Sequence, residues 1–374
     1  MSNNKHKIAI VGSTGIVGRT VLKILEEKSF KNCEYTLFSS KKSAGTRLSF
    51  LGQTYIICEL TENSFNSHFD YAIFCAGGEV SKKFAPIAVS KGCTVIDNSS
   101  IFRMNKDVPL VVPEVNPEKI IENKGIIANP NCSTIQAVIA LKPLDLKYGI
   151  KRIVYSTYQA VSGAGRQGIL DLENGIKGEP PKKFPYPIIN NCLPHIDSFL
   201  DDGYTKEEYK MINETRKILN KPYLPITATT VRVPVKNCHS ESINIELERD
   251  FDIFDIKQLL QNSPGILVID EPSKNYYPIA SKADGTDDVL VGRIRRDFSV
   301  RSGLNIWVVA DNLRKGAASN AVQILEVLLG TGQKNTNKNL MFLGTETKSI
   351  NKNLMFLGTE TKNIIKILMK KSII

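Results

Sequence analysis

The chain has 374 residues, 42% of them hydrophobic and 23% charged, with a formal net charge of +11. That length and balance predict a two-domain globular protein, and no apolar run is long enough to span a bilayer, so the reading is no membrane and a cytoplasmic location. Residues 331–374 carry eight lysines against Glu346 and Glu360, which is +6 of the +11, and the remaining body has no concentrated basic helix, so no nucleic-acid partner is expected.

The N-terminus enters an apolar run almost at once and is read as having no room for a secretory signal. "KIAIVGSTGIVGRTVLKIL" (7–25) predicts a strand, a glycine turn and a helix from about residue 16. Gly12, Gly15 and Gly18 allow a tight turn and close approach of a pyrophosphate to a helix N-terminus. With Ser13, Thr14, Ile16 and Val17 they form a candidate dinucleotide site. The alternative is a tight strand–helix turn without a ligand.

The next strand, in "EYTLFSSKKSAG" (34–45), ends in Ser39, Ser40, Lys41, Lys42 and Ser43 rather than in a carboxylate. A carboxylate there would hold a ribose 2′-hydroxyl, whereas hydroxyls and cations suit a 2′-phosphate, so NADP is preferred over NAD. A solvated Lys-Lys loop is the plain alternative.

Three further apolar runs, 70–78, 93–100 and 125–131, end in glycine or small polar residues. They predict a parallel sheet covered on both faces, with ligands at the carboxyl ends of its strands. Cys132 follows the Asn-Pro-Asn turn at one of those ends, with a helix predicted from Ser133 or Thr134. At a helix mouth a thiolate is stabilised, and a lowered thiol pKa is expected; a small buried core cysteine is the alternative. The other cysteines show no C-x-x-C spacing, which suits a reducing compartment and no metal site.

From residue 150 the pattern changes to strands at 152–161, 226–235, 242–248 and 303–311, with Pro-rich loops between them. This predicts an α+β domain with one sheet face open to solvent or an interface. A last helix, 314–329, is expected to pack back on the first half. Of the four histidines, His239 at a strand end ranks first as partner for a thiol nucleophile and His195 second. The tail repeats itself, "NKNLMFLGTETKSI" (337–350) and "NKNLMFLGTETKNI" (351–364), with one difference in fourteen.

Taken together, "GSTGIVG", "SSKKSAG", "SSIFRM", "VPEVN", "NPNCST", "YQAVSGAG", "EEYKMINET", "VRVPVKNCHSE" and "DNLRKGAASNAVQ" run in order from about residue 7 to 330 and resemble the aspartate-β-semialdehyde dehydrogenases. The resemblance implies a Rossmann-type α/β NADP-binding domain (1–131, with 313–330 returning to it), an α+β catalytic and dimerisation domain (132–312), and a C-terminal extension (331–374). It implies reduction of L-aspartyl-4-phosphate by NADPH, with phosphate released, in lysine, threonine and methionine biosynthesis, by a homodimer or homotetramer.

The same resemblance makes Cys132 the acyl-accepting nucleophile, His239 the acid–base residue and Gln159 the group orienting the thioacyl intermediate. Arg232, read as lying on the same strand as His239, would hold the substrate α-carboxylate, and Glu207 its α-amino group. Arg103 and Lys210, with Asn98 and Ser99 nearby, would hold phosphate, and Asn131 would shape the pocket. Ser40, Lys42 and Ser43, then Ser162, Gly163 and Asn312, would contact the cofactor. Lys42 stands where the family often has arginine, and Cys238 where glycine is common. A non-catalytic nucleotide-binding relative would have lost Cys132 or His239. An N-acetylated substrate would leave Glu207 no ammonium to hold.

Overall fold

The apolar run after the N-terminus forms β1 (His6–Val11), and the helix after the glycine turn is α1 (Ile16–Lys28). The computed structural model describes residues 5–30 and 32–331. Ile8, Ala9, Ile10 and Val11 have no exposed surface, as a parallel strand covered on both faces requires. The chain continues through β2 (Cys33–Ser39), a hairpin of β3 (Arg47–Phe50) and β4 (Gln53–Ile56), β5 (Cys58–Glu59), β6 (Tyr71–Phe74), α2 (Gly78–Ser90), β7 (Thr94–Asp97) and β8 (Ile126–Ala128). The first sheet has the order β5-β2-β1-β6-β7-β8, and every neighbouring pair is parallel. The order reverses at β1, which opens a crevice between the carboxyl ends of β1 and β6.

Helix α3 (Cys132–Tyr148) leaves the end of β8 and is buried on nearly every side, from Ser133 through Leu141 without a break. A helix apolar all round is a core helix. The expected start at Ser133 or Thr134 is one or two residues late, because Asn131 caps the helix with its side-chain oxygen and Cys132 is its first residue.

The second half contains β9 (Ile150–Gln159), α4 (Arg166–Gly175), α5 (Lys206–Ile218), β10 (Ile226–Arg232), β11 (His239–Leu247), α6 (Ile253–Gln261), β12 (Ile266–Val268), α7 (Ala280–Ala283), β13 (Val289–Asp297) and β14 (Gly303–Ala310). They form a mixed sheet in the order β10-β9-β11-β14-β13-β12. Burial alternates strictly along β11, so His239, Glu241, Ile243, Ile245 and Leu247 face the core while the residues between them do not.

Two expectations change here. Arg232 and His239 are not on one strand: β10 ends at Arg232 and β11 begins at His239. Pro234 has no N–H for a ladder, and Cys238 takes φ +74°, which breaks extended pairing. That φ also accounts for the glycine common at this position in the resembling family. The final helix is likewise shorter than 314–329: Arg314–Ala318 is a π turn, followed by α8 (Ser319–Leu328). These last elements return to the first sheet's helices, with Lys28 2.7 Å from Glu326 and Arg314 2.6 Å from Glu27. The duplicated tail segment lies outside the described residues.

Candidate active site

The site begins where β8 runs into α3. Asn131 Oδ1 accepts from the Ser133 and Thr134 amides at 2.9 and 3.4 Å, which fixes the first turn, of which Cys132 is the opening residue. Cys132 Sγ lies 3.2 Å from His239 Nε2. The His239 ring is fully buried, and its Nδ1 accepts the Ala160 backbone N–H at 3.0 Å. An acceptor at Nδ1 carries no proton, so the neutral ring holds its proton on Nε2 and points it at the sulfur. Burial, reinforced by the Arg232 charge, pushes His239 down to about 3 and keeps a second proton off the ring.

The expectation of a lowered thiol pKa is reversed. Desolvation, joined by the Glu207 charge, pushes the Cys132 thiol up to about 12, and Arg103, Arg232 and the Ser133 amide only partly counter it. The helix mouth stabilises a thiolate, but loss of water costs more.

The three strands β10, β9 and β11 bring the other groups to the same edge. Arg232 is paired in register with Gln159, and the next pair inward along β9 is Ser240 with Tyr158, so Arg232, Gln159 and His239 form one row. Arg232 is 5% exposed and donates to the Ala160 carbonyl at 2.7 Å. Among the described residues no carboxylate pairs with it. Glu207 is also buried; burial works to raise it, but Lys210 and hydrogen bonds from Asn131 and Gln159 hold it at about 2. Its Oε1 accepts from Asn131 Nδ2 at 2.9 Å and from Gln159 Nε2 at 3.1 Å, and its Oε2 lies 3.0 Å from Lys210 Nζ. The i,i+3 spacing on α5 does present Glu207 and Lys210 together, as an ion pair with Glu207 buried rather than a solvated one.

Arg103 is bound up differently from Lys210. It donates to the Asn129 and Asn98 carbonyls at 2.9 and 3.0 Å and to Glu214 at 3.0 Å, while Lys210 reaches Asp197 at 2.7 Å. Glu214 in turn accepts the Asn131 amide at 2.6 Å, so Arg103 is tied to the Cys132 loop through one carboxylate. Ser99 donates to Asp97 at 2.6 Å. Ser162 and Asn312 hydrogen-bond each other at 3.0 Å, and Asn312 Oδ1 accepts the Cys238 amide at 2.9 Å, so this pair supports the turn into His239. His195 stacks on Phe199 with centroids 4.3 Å apart and has no contact with the thiol.

Two glycines are fitted to these groups. A Cβ on Gly163 would lie 2.9 Å from Arg232 Nη1 and 3.2 Å from His239 Nε2, and one on Gly316 would lie 2.9 Å from Cys132 Cβ. Gly316 was not singled out in the sequence, because its partner is 184 positions away and no spacing rule links them. Gly316→Ala is expected to leave the fold intact and to lower turnover about 100-fold by displacing the nucleophile, checked by kcat beside a melting curve.

The glycine turn fits a dinucleotide phosphate. Gly12 has φ +83°, and a Cβ there would meet the Cys75 carbonyl at 2.9 Å. Gly15 is exposed, and α1 begins without a side-chain cap or an acidic residue in its first turn, so its N–H groups are open to an anion. Thr14 Oγ1 is 2.7 Å from Ser39 Oγ and 3.5 Å from Ser43 Oγ, which docks the glycine turn against the Ser40–Ser43 turn. Lys41 and Lys42 are exposed beside it.

Among the described residues no helix is long and apolar enough to cross a membrane. Residues 7–123 match the family model described as semialdehyde dehydrogenase, NAD binding domain, and residues 141–315 match semialdehyde dehydrogenase, dimerisation domain. The aspartate-semialdehyde dehydrogenase of Aquifex aeolicus is 54% identical over 337 residues, covering 87% of this chain and 99% of the relative. That of Bacillus subtilis is 48% identical over 338 residues, covering 86% and 96%. The crystal structure of aspartate semialdehyde dehydrogenase II from Vibrio cholerae, also solved complexed with ASA, superposes with a TM-score of 0.83 at 47% identity over 87% of this chain and 98% of that one. The enzyme from Candida albicans, solved with NADP, gives 0.70 at 26% identity over 87% and 99%. The chain belongs to the aspartate-semialdehyde dehydrogenase family.

Proposed function

We propose that this protein is an NADP-dependent aspartate-semialdehyde dehydrogenase that converts L-aspartyl-4-phosphate to L-aspartate 4-semialdehyde and phosphate through a thioester on Cys132. The observation that carries the reading is the Cys132–His239 contact of 3.2 Å beside a buried guanidinium that makes no ion pair with a carboxylate among the described residues. Arg232 is free to bind a substrate carboxylate in two-pronged fashion, and Glu207, held ionised, suits the ammonium of the same free amino acid.

Cys132 attacks the acyl phosphate carbon, the C–O bond to phosphate breaks, and the thiol proton leaves on the phosphate. This accounting needs no base at Nε2, which already carries a proton. It narrows the acid–base role of His239 to that of donor. Its N–H and the amides at the mouth of α3 stabilise the oxyanion at the acyl carbon. Gln159, anchored on Glu207, orients the carbonyl. Arg103 and Lys210 supply positive charge for the phosphate.

Gly12, Ser13, Thr14, Gly15, Ile16 and Val17 would hold the dinucleotide pyrophosphate, Ser40, Lys42 and Ser43 the 2′-phosphate, and Ser162, Gly163 and Asn312 the nicotinamide end. When bound, the nicotinamide supplies the hydride that reduces the thioester. Release of the aldehyde leaves a thiolate, which takes a proton from solvent, so one proton is consumed per turnover. The dimerisation-domain match supports a homodimer, and free cysteines throughout the chain suit the cytoplasm.

The test is the reverse reaction, with L-aspartate semialdehyde, phosphate and NADP, followed by absorbance of the reduced nicotinamide. Phosphate-dependent reduction is expected; none with this substrate, but turnover with the N-acetylglutamate analogue, would refute the substrate assignment. Lys42→Ala is expected to raise KM for NADP about tenfold and leave that for NAD unchanged, the loss of one charged phosphate contact.

A further inference from the structure

Directly behind the row of Arg232, Gln159 and His239 lies a second row that the mechanism does not use. Register pairs Thr230 with Thr157 and Thr157 with Glu241, and Glu241 faces Val308 on the other side. Thr230, Thr157 and Glu241 have no exposed surface. Both carboxyl oxygens of Glu241 and the Thr230 hydroxyl lack a hydrogen-bond partner among the described residues. So do Gln136 Oε1 and Ser133 Oγ, one turn apart on the same face of α3. Gln136 Nε2 reaches the His239 carbonyl at 3.2 Å, which places this helix face over β11.

Orphaned polar atoms gathered in one sealed layer are costly unless ordered water completes their bonds. A carboxyl group with no cation near it stays protonated. Among the described residues, His239 on its own strand and Tyr155 on β9 are the titratable groups on the adjoining strand positions, and Glu208 of α5 reaches the far end of the row by accepting the Thr230 amide at 3.1 Å. His239 is pushed down and Tyr155 up, so both are neutral. The paired residue on β14 is Val308, and α3 brings Ser133 and Gln136, neither of which titrates. Burial alone raises Glu241 well above the usual carboxylate range.

The layer has a direction. Thr157 Oγ1 donates to Gln159 Oε1 at 3.0 Å, and Gln159 Nε2 donates to Glu207 at 3.1 Å. Glu207, ionised and able only to accept, turns Nε2 toward itself and Oε1 toward Thr157, so a donor arriving at Thr157 from the Glu241 side commits that hydroxyl to Gln159 and holds the amide in place.

We propose that Glu241 is a positioning residue for the reaction: in its protonated form, and through ordered water, it sets the Thr157 hydroxyl and through it the Gln159 amide. This rests on the dehydrogenase reading for its kinetic consequence, but not for its charge state.

The experiment compares wild type, Glu241→Gln and Glu241→Val. Glu241→Val is expected to lower kcat about tenfold, the scale of one lost hydrogen bond, with KM for phosphate unchanged, and Glu241→Gln to rescue kcat. Infrared difference spectra at neutral pH should show a protonated carboxyl band in wild type that both variants lack. The sign of the pH dependence is fixed. An unfolded glutamate loses its proton above about pH 4.5 while the folded one keeps it, so wild-type stability falls as pH rises past that point. Glu241→Gln should therefore melt higher than wild type at neutral pH, by a margin that vanishes in acid. A missing carboxyl band, or a melting gap independent of pH, overturns the proposal. Wild-type kcat in Glu241→Val overturns the positioning role. Inactivity of the wild type would instead refute the dehydrogenase reading and leave the spectroscopic and melting results to judge Glu241.

Discussion

Replacing Cys132 by alanine is expected to lower phosphate-dependent NADP reduction by roughly 10⁴-fold or more, the scale on which loss of a nucleophile acts. The melting temperature should stay close to that of wild type, since the helix cap belongs to Asn131 and not to Cys132. The pH behaviour of the ligand-free thiol separates this site from one with a preformed thiolate–imidazolium pair. Such a pair alkylates rapidly at neutral pH. Here the thiol is pushed up to about 12 and His239 down to about 3, so both are neutral across the physiological range. Alkylation should be slow at pH 7 and accelerate about tenfold per pH unit into the alkaline range, as the thiolate fraction grows. A plateau below pH 9 would contradict the buried neutral thiol. Nitrogen NMR of His239 provides the companion check: a proton on Nε2 and none on Nδ1 is the expected tautomer. Removing that donor in His239→Asn should cost about 10²-fold in kcat.

Much of the first sheet was legible because its strands carry a local signal. Ile8–Val11 and the runs before Gly77 and Cys132 are apolar on both faces, and only a covered parallel sheet accepts such strands. Cys132 was legible because turn and cap residues announce a helix start to within a residue or two. What escaped depended on distance or on competition. The thiol's direction of shift was misread, since the sequence displays the helix mouth but not how much water the fold removes. Arg232 and His239 were read onto one strand because "VRVPVKNCH" offers few breaks other than Pro234, and the left-handed turn at Cys238 has no signature in a cysteine. Glu241 carried a signal that the misplaced strand start concealed. Had β11 been read from His239, the alternation His239, Glu241, Ile243, Ile245, Leu247 would have put a carboxylate on the core face.

Arg232→Leu is expected to produce a more stable protein that is nearly inactive. A guanidinium 5% exposed, bonded to a single carbonyl and with no ion pair among the described residues, is desolvated with only the more distant Glu207 charge and the Phe184 ring to offset the cost. Leucine removes that cost and retains packing against Phe184, whose ring centre lies 5.9 Å from the guanidinium carbon. The melting temperature should therefore rise. The same cost in the native protein is what a substrate carboxylate relieves on binding, so kcat/KM for aspartate semialdehyde should fall about 10³-fold, corresponding to about 4 kcal/mol for a desolvated charge pair. Arg232→Lys should recover only part of this, because an ammonium cannot match a carboxylate with two parallel bonds. The effect should appear chiefly in KM for the semialdehyde and spare KM for phosphate. His239 reports on the same change, since the Arg232 charge helps to hold it down. In Arg232→Leu its titration should move upward, toward but not reaching an exposed histidine, because burial remains the larger cause. A variant that loses activity without that upward shift, or loses stability instead of gaining it, would mean that Arg232 is a structural element of the β10–β11 turn rather than a carboxylate receptor held ready at some expense to the fold.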